Sequence, residues 1–178
     1  MAAVTADLEK VLLDQEAIRK RVAELGAQIS RDYKGKDLVL VGILKGSAVF
    51  MADLMRAVEL DCSIDFMCVS SYAGRGSTGE VRVLLDLRES AEGKDLLIVE
   101  DIVDTGLTLH HLQDLLKTRG PRSVEICCLL DKPDCRKIPV KAKYVGFQIP
   151  NEFVVGYGLD YEERYRNLPY VGVLKSGK

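Results

Sequence analysis

The stretch Leu96–Leu109, with the sequence LLIVEDIVDTGLTL, decides the fold of this chain. It begins as a continuous run of strand-forming apolar residues, which is typical of a strand covered on both faces of a sheet. Glu100 and Asp101 interrupt the run, a loop of small residues follows, and a helical pattern then continues to the stop signal Gly120-Pro121. Because ligands in open α/β sheets bind where the carboxyl end of a strand turns into a helix, the stretch predicts both an α/β fold and a ligand site.

The turn after this strand carries groups that favour opposite ligand charges. Backbone N–H groups and hydroxyls of Thr105–Thr108 suit an anion at a helix N-terminus, whereas Glu100 and Asp101 would repel it. A ligand with a phosphate at one end and a diol or a hard cation nearby satisfies both halves, since carboxylates accept hydrogen bonds from sugar hydroxyls and attract Mg²⁺. The stretch therefore favours a sugar phosphate. The simpler alternative is that Asp104 caps the helix and the acidic pair is a solvated strand end.

Segments on both sides of this stretch alternate between strand and helix patterns. Asp14 is placed to cap a first helix, Asp37–Leu44 has the pattern of a buried strand before a second helix, and Ser63–Tyr72 begins a pair of further strands. Strands crowd together towards the C-terminus. The order predicts one domain over residues 1–178, with a mainly parallel twisted sheet flanked by helices, and a small hood formed by the N-terminal residues and the segment 144–178.

Composition argues against several classes of protein. The chain has 178 residues, a formal net charge of −2 and a pI near 5.8, so it can bury a core and offers no strongly basic surface to nucleic acid. It has no apolar run of membrane-spanning length, and Met1–Lys10 lacks the apolar region of a signal peptide. Its five cysteines include no Cys-x-x-Cys pair, which indicates reduced thiols. We therefore expect a cytoplasmic protein whose main partner is neither nucleic acid nor a membrane.

The segment Val99–Thr108 resembles the phosphoribosyl-pyrophosphate motif of the type I phosphoribosyltransferases, and in particular of their hypoxanthine-guanine branch. The resemblance covers nearly the whole chain. It implies that Asp104 is the general base. Leu107 departs from relatives that carry a lysine there, so only its backbone N–H would serve. The resemblance places these residues around the 5-phosphate and ribose: Glu100, Asp101, Asp104, Thr105, Gly106, Leu107 and Thr108.

Two further segments resemble the parts of this family that bind pyrophosphate and metal. Leu44-Lys45-Gly46 is similar to the pyrophosphate-binding loop, in which a cis peptide precedes the lysine, and Arg166 matches the arginine that meets pyrophosphate. The resemblance also implies Mg²⁺ as the cofactor. Its ligands would be Glu100, Asp101 and Asp160.

The acceptor base is indicated by residues far from the opening stretch. Phe153–Tyr161 is similar to the base-binding segment of the purine branch, in which Phe153 would stack on the purine, the backbone of Val154 would read its edge, and Asp160 would lie near a metal. Lys132 follows a predicted strand, where most lysines are solvated, but a lysine that points inward there could donate a hydrogen bond to a substrate carbonyl. Because O6 accepts a hydrogen bond where the amino group of adenine donates one, Lys132 favours a 6-oxopurine.

The glycine-rich segment Ala73–Gly79 spells a dinucleotide-binding fingerprint, but the strand pattern that follows it excludes that function. The glycines instead predict a long hairpin loop. The resemblance implies that this loop, led by Ser71 and Tyr72, is a lid over the active site, where excluding water would protect a cationic sugar from hydrolysis.

The predicted reaction is the transfer of ribose 5-phosphate from phosphoribosyl pyrophosphate to N9 of hypoxanthine or guanine, giving IMP or GMP and pyrophosphate in purine salvage. The sequence leaves three alternatives open: a phosphoribosyltransferase for xanthine, adenine or a pyrimidine, an RNA-binding attenuation regulator of the same fold, and a nucleotide-binding module without catalysis. A xanthine preference is the hardest of these to separate from the main prediction. The resemblance also implies a homodimer or homotetramer.

Overall fold

The computed structural model describes residues 7–71 and 81–175 and divides them between two β-sheets and three α-helices. A short 3-10 turn, Pro133–Cys135, follows the sixth strand. The elements in chain order are β1 (Leu8–Leu13), α1 (Gln15–Asp32), β2 (Leu38–Leu44), α2 (Ala48–Ala57), β3 (Ser63–Ser71), β4 (Val81–Leu85), β5 (Asp95–Val103), α3 (Leu107–Lys117), β6 (Ser123–Asp131), β7 (Tyr144–Gln148), β8 (Val154–Val155) and β9 (Val171–Leu174).

The larger sheet has six strands in the order β4-β3-β2-β5-β6-β7. All neighbouring strands are parallel except β3 and β4, which form the antiparallel hairpin that the sequence predicted. Strand β5 lies between β2 and β6, and successive side chains point to opposite faces. Leu97 and Val99 pack into the core beneath α1 and α2, whereas Leu96 and Ile98 pack beneath α3. The apolar run at the start of β5 is continuous because both faces of the strand are covered.

The first helix begins and packs as its sequence predicts. Asp14 Oδ1 accepts a hydrogen bond of 2.7 Å from the backbone N–H of Ala17, which satisfies one of the free donors at the helix start. The side chains at helical spacing on the inner face are buried, and they close one side of the core: Ile18, Val22, Leu25 and Ile29.

The smaller sheet has three antiparallel strands in the order β1-β9-β8, so it joins the two ends of the described chain. We expected the hood to include residues from 144 onward, but Tyr144–Gln148 is a strand of the larger sheet, where it pairs with β6. The C-terminal part of the smaller sheet therefore starts at Val154. An ion pair of 2.7 Å between Lys10 and Glu152 joins β1 to the segment before β8.

The predicted lid falls mainly outside the described residues. Ser71 is the last residue of β3, whereas Tyr72 and the segment 73–79 lie beyond the described ranges. Within residues 7–71 and 81–175, no helix is long and apolar enough to cross a membrane.

Candidate active site

Three neighbouring parallel strands, β2, β5 and β6, end at the same edge of the larger sheet. In the ladders Gly42 pairs with Val99 and Val103 pairs with Asp131, so the residues after each strand become neighbours. Lys45 and Gly46 follow β2, Asp104–Thr108 follow β5, and Lys132 follows β6. This is the position at which ligands bind in open parallel sheets. The structure thus brings together residues that the sequence could assign only to separate strand ends.

The loop after β5 forms the wall of a cavity of about 190 Å³. Gly106, which has φ = 84°, is the residue directly before helix α3, and no side chain caps the helix, so the alternative in which Asp104 serves as the helix cap is wrong. Leu107 does not line the cavity, and its backbone N–H donates to Thr105 Oγ1 at 3.4 Å. The cavity is lined by Glu100, Ile102, Val103, Asp104, Thr105, Gly106, Thr108 and Leu109.

The acidic pair at the end of β5 is buried, not solvated. Burial raises the pKa of Glu100 well above its ordinary value, and the adjacent Asp101 raises it further. Burial also raises the pKa of Asp101, while its hydrogen bonds with Glu100 and with the backbone N–H of Ile102 act in the opposite direction, together with the charge of Arg166. Two buried carboxylates side by side hold excess negative potential, which suits a cation or hydroxyl donors.

Gly46 lies directly against the Asp101 carboxylate. A Cβ at this position would come 2.7 Å from Asp101 Cγ and closer still to Oδ2, so only glycine fits there. The preceding Leu44–Lys45 peptide bond is cis, as the resemblance implied. Gly158, with φ = 103°, approaches the Gly46 carbonyl in the same way from the C-terminal segment. The predicted pyrophosphate loop is therefore packed between the acidic pair and residues near 158.

Arg166 and Lys45 converge on one acidic residue that the sequence analysis did not identify. Glu163 Oε2 accepts from Lys45 Nζ at 2.9 Å, and Glu163 Oε1 lies 3.4 Å from Arg166 Nη2. Arg166 also forms an ion pair of 2.8 Å with Asp160 and donates to the Gly158 carbonyl. The two cations predicted to meet pyrophosphate thus lie on either side of a carboxylate. Nothing in the run Glu162-Glu163 distinguishes this residue from a surface acid.

The predicted purine-binding residues are positioned by two different sheets: Lys132 directly follows β6 of the larger sheet, whereas Phe153 directly precedes β8 of the smaller sheet and Val154 is its first residue. Lys132 is buried, and its backbone N–H donates to the Val103 carbonyl at 2.9 Å, which ties it to the end of β5. Phe153 is 54% exposed and packs edge to face against Tyr161 at 5.7 Å between ring centroids, so about half of the residue remains accessible to a stacking partner. Val154 is buried in β8. The roles of these residues remain predictions.

The carboxylates alone do not form a metal cage. Among the described residues, no group of three or more His, Cys, Asp or Glu side chains could hold an ion. Asp160, the third predicted metal ligand, is bound by Arg166 and by the backbone N–H of Glu163 at 2.9 Å. Mg²⁺ is commonly held by one or two carboxylates together with substrate phosphates, and Glu100 with Asp101 fits that arrangement.

A larger cavity of about 590 Å³ lies away from these strand ends, between α1, α2 and the segment Arg166–Pro169. Ile18, Val22 and Val49 contribute to its apolar wall. Among the predicted site residues that the structure describes, Arg166 alone lines it. We therefore assign the sugar-phosphate site to the smaller cavity at the sheet edge, which is lined by most of the predicted phosphate- and ribose-binding residues.

The fold and this site define a class of protein. Residues 10–162 match the phosphoribosyl transferase domain model, and the chain belongs to the phosphoribosyltransferase family. It is 59% identical over 170 residues to the hypoxanthine-guanine phosphoribosyltransferase of Staphylococcus aureus, a match that covers 95% of each chain. The protein of the same name from Staphylococcus epidermidis is 58% identical, with 96% of each chain covered.

Solved structures agree with these sequence matches. A hypoxanthine phosphoribosyltransferase from Staphylococcus aureus superposes with a TM-score of 0.95 at 58% identity, covering 98% of this chain and 96% of that one. A mutant hypoxanthine phosphoribosyltransferase from Trypanosoma cruzi, in a ternary substrates complex, has a TM-score of 0.92 at 47% identity, covering 96% and 97%. The predicted family, its hypoxanthine-guanine branch and the predicted α/β fold are therefore confirmed.

Proposed function

We propose that the chain transfers ribose 5-phosphate from phosphoribosyl pyrophosphate to N9 of hypoxanthine or guanine, as the names of its relatives indicate for them. The observation that carries the proposal is the meeting, at one sheet edge, of a buried acidic pair, an anion-binding loop and a buried lysine. Two products follow from this reaction, a purine nucleoside monophosphate and pyrophosphate. The enzyme would work in purine salvage.

The loop after β5 would hold the sugar phosphate. Thr105, Gly106 and Thr108 line the cavity at the start of α3, where their backbone N–H groups and hydroxyls would bind an anion that the helix dipole favours. The Glu100 and Asp101 carboxylates would accept hydrogen bonds from the ribose hydroxyls. This arrangement fixes the sugar so that one face of its C1 is turned to the base and the other to the leaving group.

The leaving pyrophosphate would be neutralised on the opposite side of the sugar. Lys45 and Arg166 lie on either side of Glu163, so an incoming pyrophosphate would replace or join that carboxylate between them. Gly46, which has no side chain, allows the loop to approach Asp101. Positive groups placed where negative charge develops stabilise a transition state in which the leaving group departs early and the sugar resembles an oxocarbenium ion.

The acceptor base would be fixed by Lys132 and Phe153. Lys132 would donate to O6, while the exposed Phe153 ring stacks on the purine and the Val154 backbone meets its edge. Asp104, at the cavity wall, would take the proton from N7 as N9 bonds to the sugar. An adenine amino group would oppose the Lys132 donor, and an unpaired buried donor costs about 1–3 kcal/mol.

We further propose Mg²⁺ as the cofactor, held by Glu100 and Asp101 together with the substrate oxygens. When bound, the ion would compensate the two buried carboxylates and neutralise charge on the pyrophosphate. Burial raises the pKa of both carboxylates, and the adjacent Asp101 raises that of Glu100 further, so a bound cation would offset the cost of burying their charged forms. Asp160 would contribute to a second ion only after releasing Arg166.

We also propose a cytoplasmic location and a homodimeric or homotetrameric assembly. The free thiols of the described chain support a reducing compartment: Cys62, Cys68, Cys127, Cys128 and Cys135. Exposed apolar side chains near the β4 edge, Ile64, Leu84 and Leu85, support self-association. Sedimentation at several protein concentrations would test the assembly, and a purely monomeric enzyme would contradict it.

A direct assay tests the function. The protein, phosphoribosyl pyrophosphate and Mg²⁺ are incubated with each of hypoxanthine, guanine, xanthine and adenine, and nucleotide formation is measured. We expect product from hypoxanthine and guanine, and no product from either would refute the proposal. A xanthine preference would support the alternative acceptor, and retention of RNA without turnover would support the regulator.

A variant pair tests the proton acceptor. Asp104→Asn should lower kcat by roughly 10² to 10⁴-fold, the usual contribution of a general base. Asp114→Asn is the matched control, because Asp114 lies on the exposed face of the adjoining helix α3, 58% exposed, and should leave kcat unchanged. Near wild-type turnover of Asp104→Asn would show that Asp104 is not the base.

A further inference from the structure

The loop after β5, Asp104–Thr108, which we call the phosphate loop, is held by hydrogen bonds from the segment Arg136–Ile138. Arg136 Nη1 donates to the Asp104 carbonyl at 2.5 Å. The backbone N–H groups of Lys137 and Ile138 both donate to the Thr105 carbonyl, at 2.9 Å and 3.3 Å. Two successive carbonyls of the loop therefore point towards this segment.

The planarity of the peptide bond converts these contacts into an orientation of N–H groups. In a trans peptide the C=O and the following N–H point in opposite directions. Fixing the Asp104 and Thr105 carbonyls outward therefore turns the N–H groups of Thr105 and Gly106 the other way, to the side where both residues line the cavity. Successive N–H groups on one side of a turn form an anion-binding concavity.

Arg136 is itself anchored in the sheet. Its Nη2 forms an ion pair with Asp131 Oδ1, and the two side chains are 18% and 12% exposed. Asp131 is the last residue of β6 and pairs with Val103 of β5. Gly106 fits beneath this anchor, since a Cβ there would lie 2.8 Å from the Ile138 carbonyl and 3.1 Å from Arg136 Cδ. The loop is thus shaped by a guanidinium fixed to the neighbouring strand, not by its own sequence alone.

We propose that Arg136 is a positioning residue that orients the Asp104–Thr105 peptide for the 5-phosphate of the substrate. It acts through the loop and contacts the substrate at no point in this role. The inference rests on the proposed function of the loop. A guanidinium reaches Asp131 and the Asp104 carbonyl through two nitrogens held in one plane, whereas a lysine ammonium is a single point on a flexible stem. Arg136→Lys should therefore keep the ion pair and lose the peptide orientation.

The chain offers a matched control at the opposite end of the same two strands. Arg122 forms an ion pair of 2.9 Å with Asp95, which is 3% exposed at the first position of β5. Arg122→Lys makes the same chemical change on the same strand pair, away from the loop. A general loss of stability would affect both variants, whereas loss of loop orientation would affect only Arg136→Lys.

The experiment measures binding of ribose 5-phosphate to wild type, Arg136→Lys and Arg122→Lys by calorimetry, together with steady-state kinetics. We expect Arg136→Lys to weaken ribose 5-phosphate binding and raise KM for phosphoribosyl pyrophosphate by at least roughly tenfold, as loss of a hydrogen bond to a charged group implies. KM for hypoxanthine should stay within about threefold, as should all constants of Arg122→Lys. Added guanidinium ion should restore part of the binding to Arg136→Ala.

Two results would overturn the inference: ribose 5-phosphate binding to Arg136→Lys within about threefold of wild type, or an equal loss in Arg122→Lys. The thermal unfolding transition of each variant shows whether it is folded, and binding is compared only among variants that are. If wild type itself neither binds ribose 5-phosphate nor converts hypoxanthine, the proposed function fails, and that result is distinct from both.

Discussion

Substituting Gly46 by alanine should damage the acidic pair while leaving the fold intact. The added Cβ would lie 2.7 Å from Asp101 Cγ and nearer to Oδ2, inside the 3.4 Å of ordinary contact. Asp101 is buried, and its Oδ1 accepts from the backbone N–H of Ile102 at 2.8 Å, so the carboxylate cannot swing freely. It must shift by roughly 1 Å, and a misplacement of that size at a catalytic centre costs about 10²-fold in rate.

The assay is kcat/KM for phosphoribosyl pyrophosphate at several Mg²⁺ concentrations, with the unfolding temperature measured in parallel. We expect kcat/KM of Gly46→Ala to fall about 10²-fold, with a higher Mg²⁺ requirement, because Asp101 is displaced from the substrate. Stability should fall by about 1–3 kcal/mol, the usual cost of forcing extra volume into a packed site, and the variant should still fold.

Gly42→Ala is the control variant, because its added Cβ would also overlap a neighbouring side chain, but in the core and away from the acidic pair. Its Cβ would meet the Phe66 ring at 2.8 Å, in the core beneath β2. This variant should lose stability and keep kcat/KM per folded molecule. If Gly46→Ala retained kcat/KM within about threefold of wild type, Asp101 could not have the placement-dependent role that we assign to it.

Three further predictions concern charge. Glu100→Gln should abolish most turnover and raise Tm in EDTA, because burial and the adjacent Asp101 both disfavour the charged form of Glu100; a Tm at or below wild type would contradict this. Lys132→Met should lower the kcat/KM ratio of hypoxanthine to adenine by roughly 10 to 10²-fold, and an unchanged ratio would remove Lys132 from base selection. Arg119 holds the pKa of Asp86 below its usual range, so the pair adds stability above the unfolded carboxyl pKa and loses it as pH falls through the folded pKa. Asp86→Asn should therefore lower stability at pH 7 by less than about 1 kcal/mol, and a difference that persisted below about pH 3 would contradict the assignment.

Local sequence determined the elements whose signals are short-range. The cap at Asp14, the inner face of α1 and the apolar run of β5 follow from side-chain periodicity and capping chemistry, which act within a few residues. The hairpin of β3 and β4 was likewise predictable from its strand patterns and the intervening glycines. The placement of β7 was not, because a short apolar strand carries no mark of the sheet that it joins.

The residues of the candidate site also fall into two groups, those that the sequence predicted and one that only the structure revealed. Glu100, Asp101 and Asp104–Thr108 are contiguous, so their motif was visible in the sequence together with its sugar-phosphate chemistry. Glu163 lies between Lys45 and Arg166 only because the C-terminal segment returns to the end of β2. No local pattern distinguishes Glu163 from a surface acid, because its role depends on its contact with Lys45, which folding brings from a distant part of the chain.

The sequence by itself determined the strand, the loop and the charged groups of Leu96–Leu109, because those depend on neighbours along the chain. Only the tertiary structure decided how the loop is oriented, through Arg136 and the Lys137 and Ile138 amides. The direction of a backbone N–H is set by the partner of the carbonyl before it. In this protein those partners lie about thirty residues further along the chain, after the next strand of the sheet.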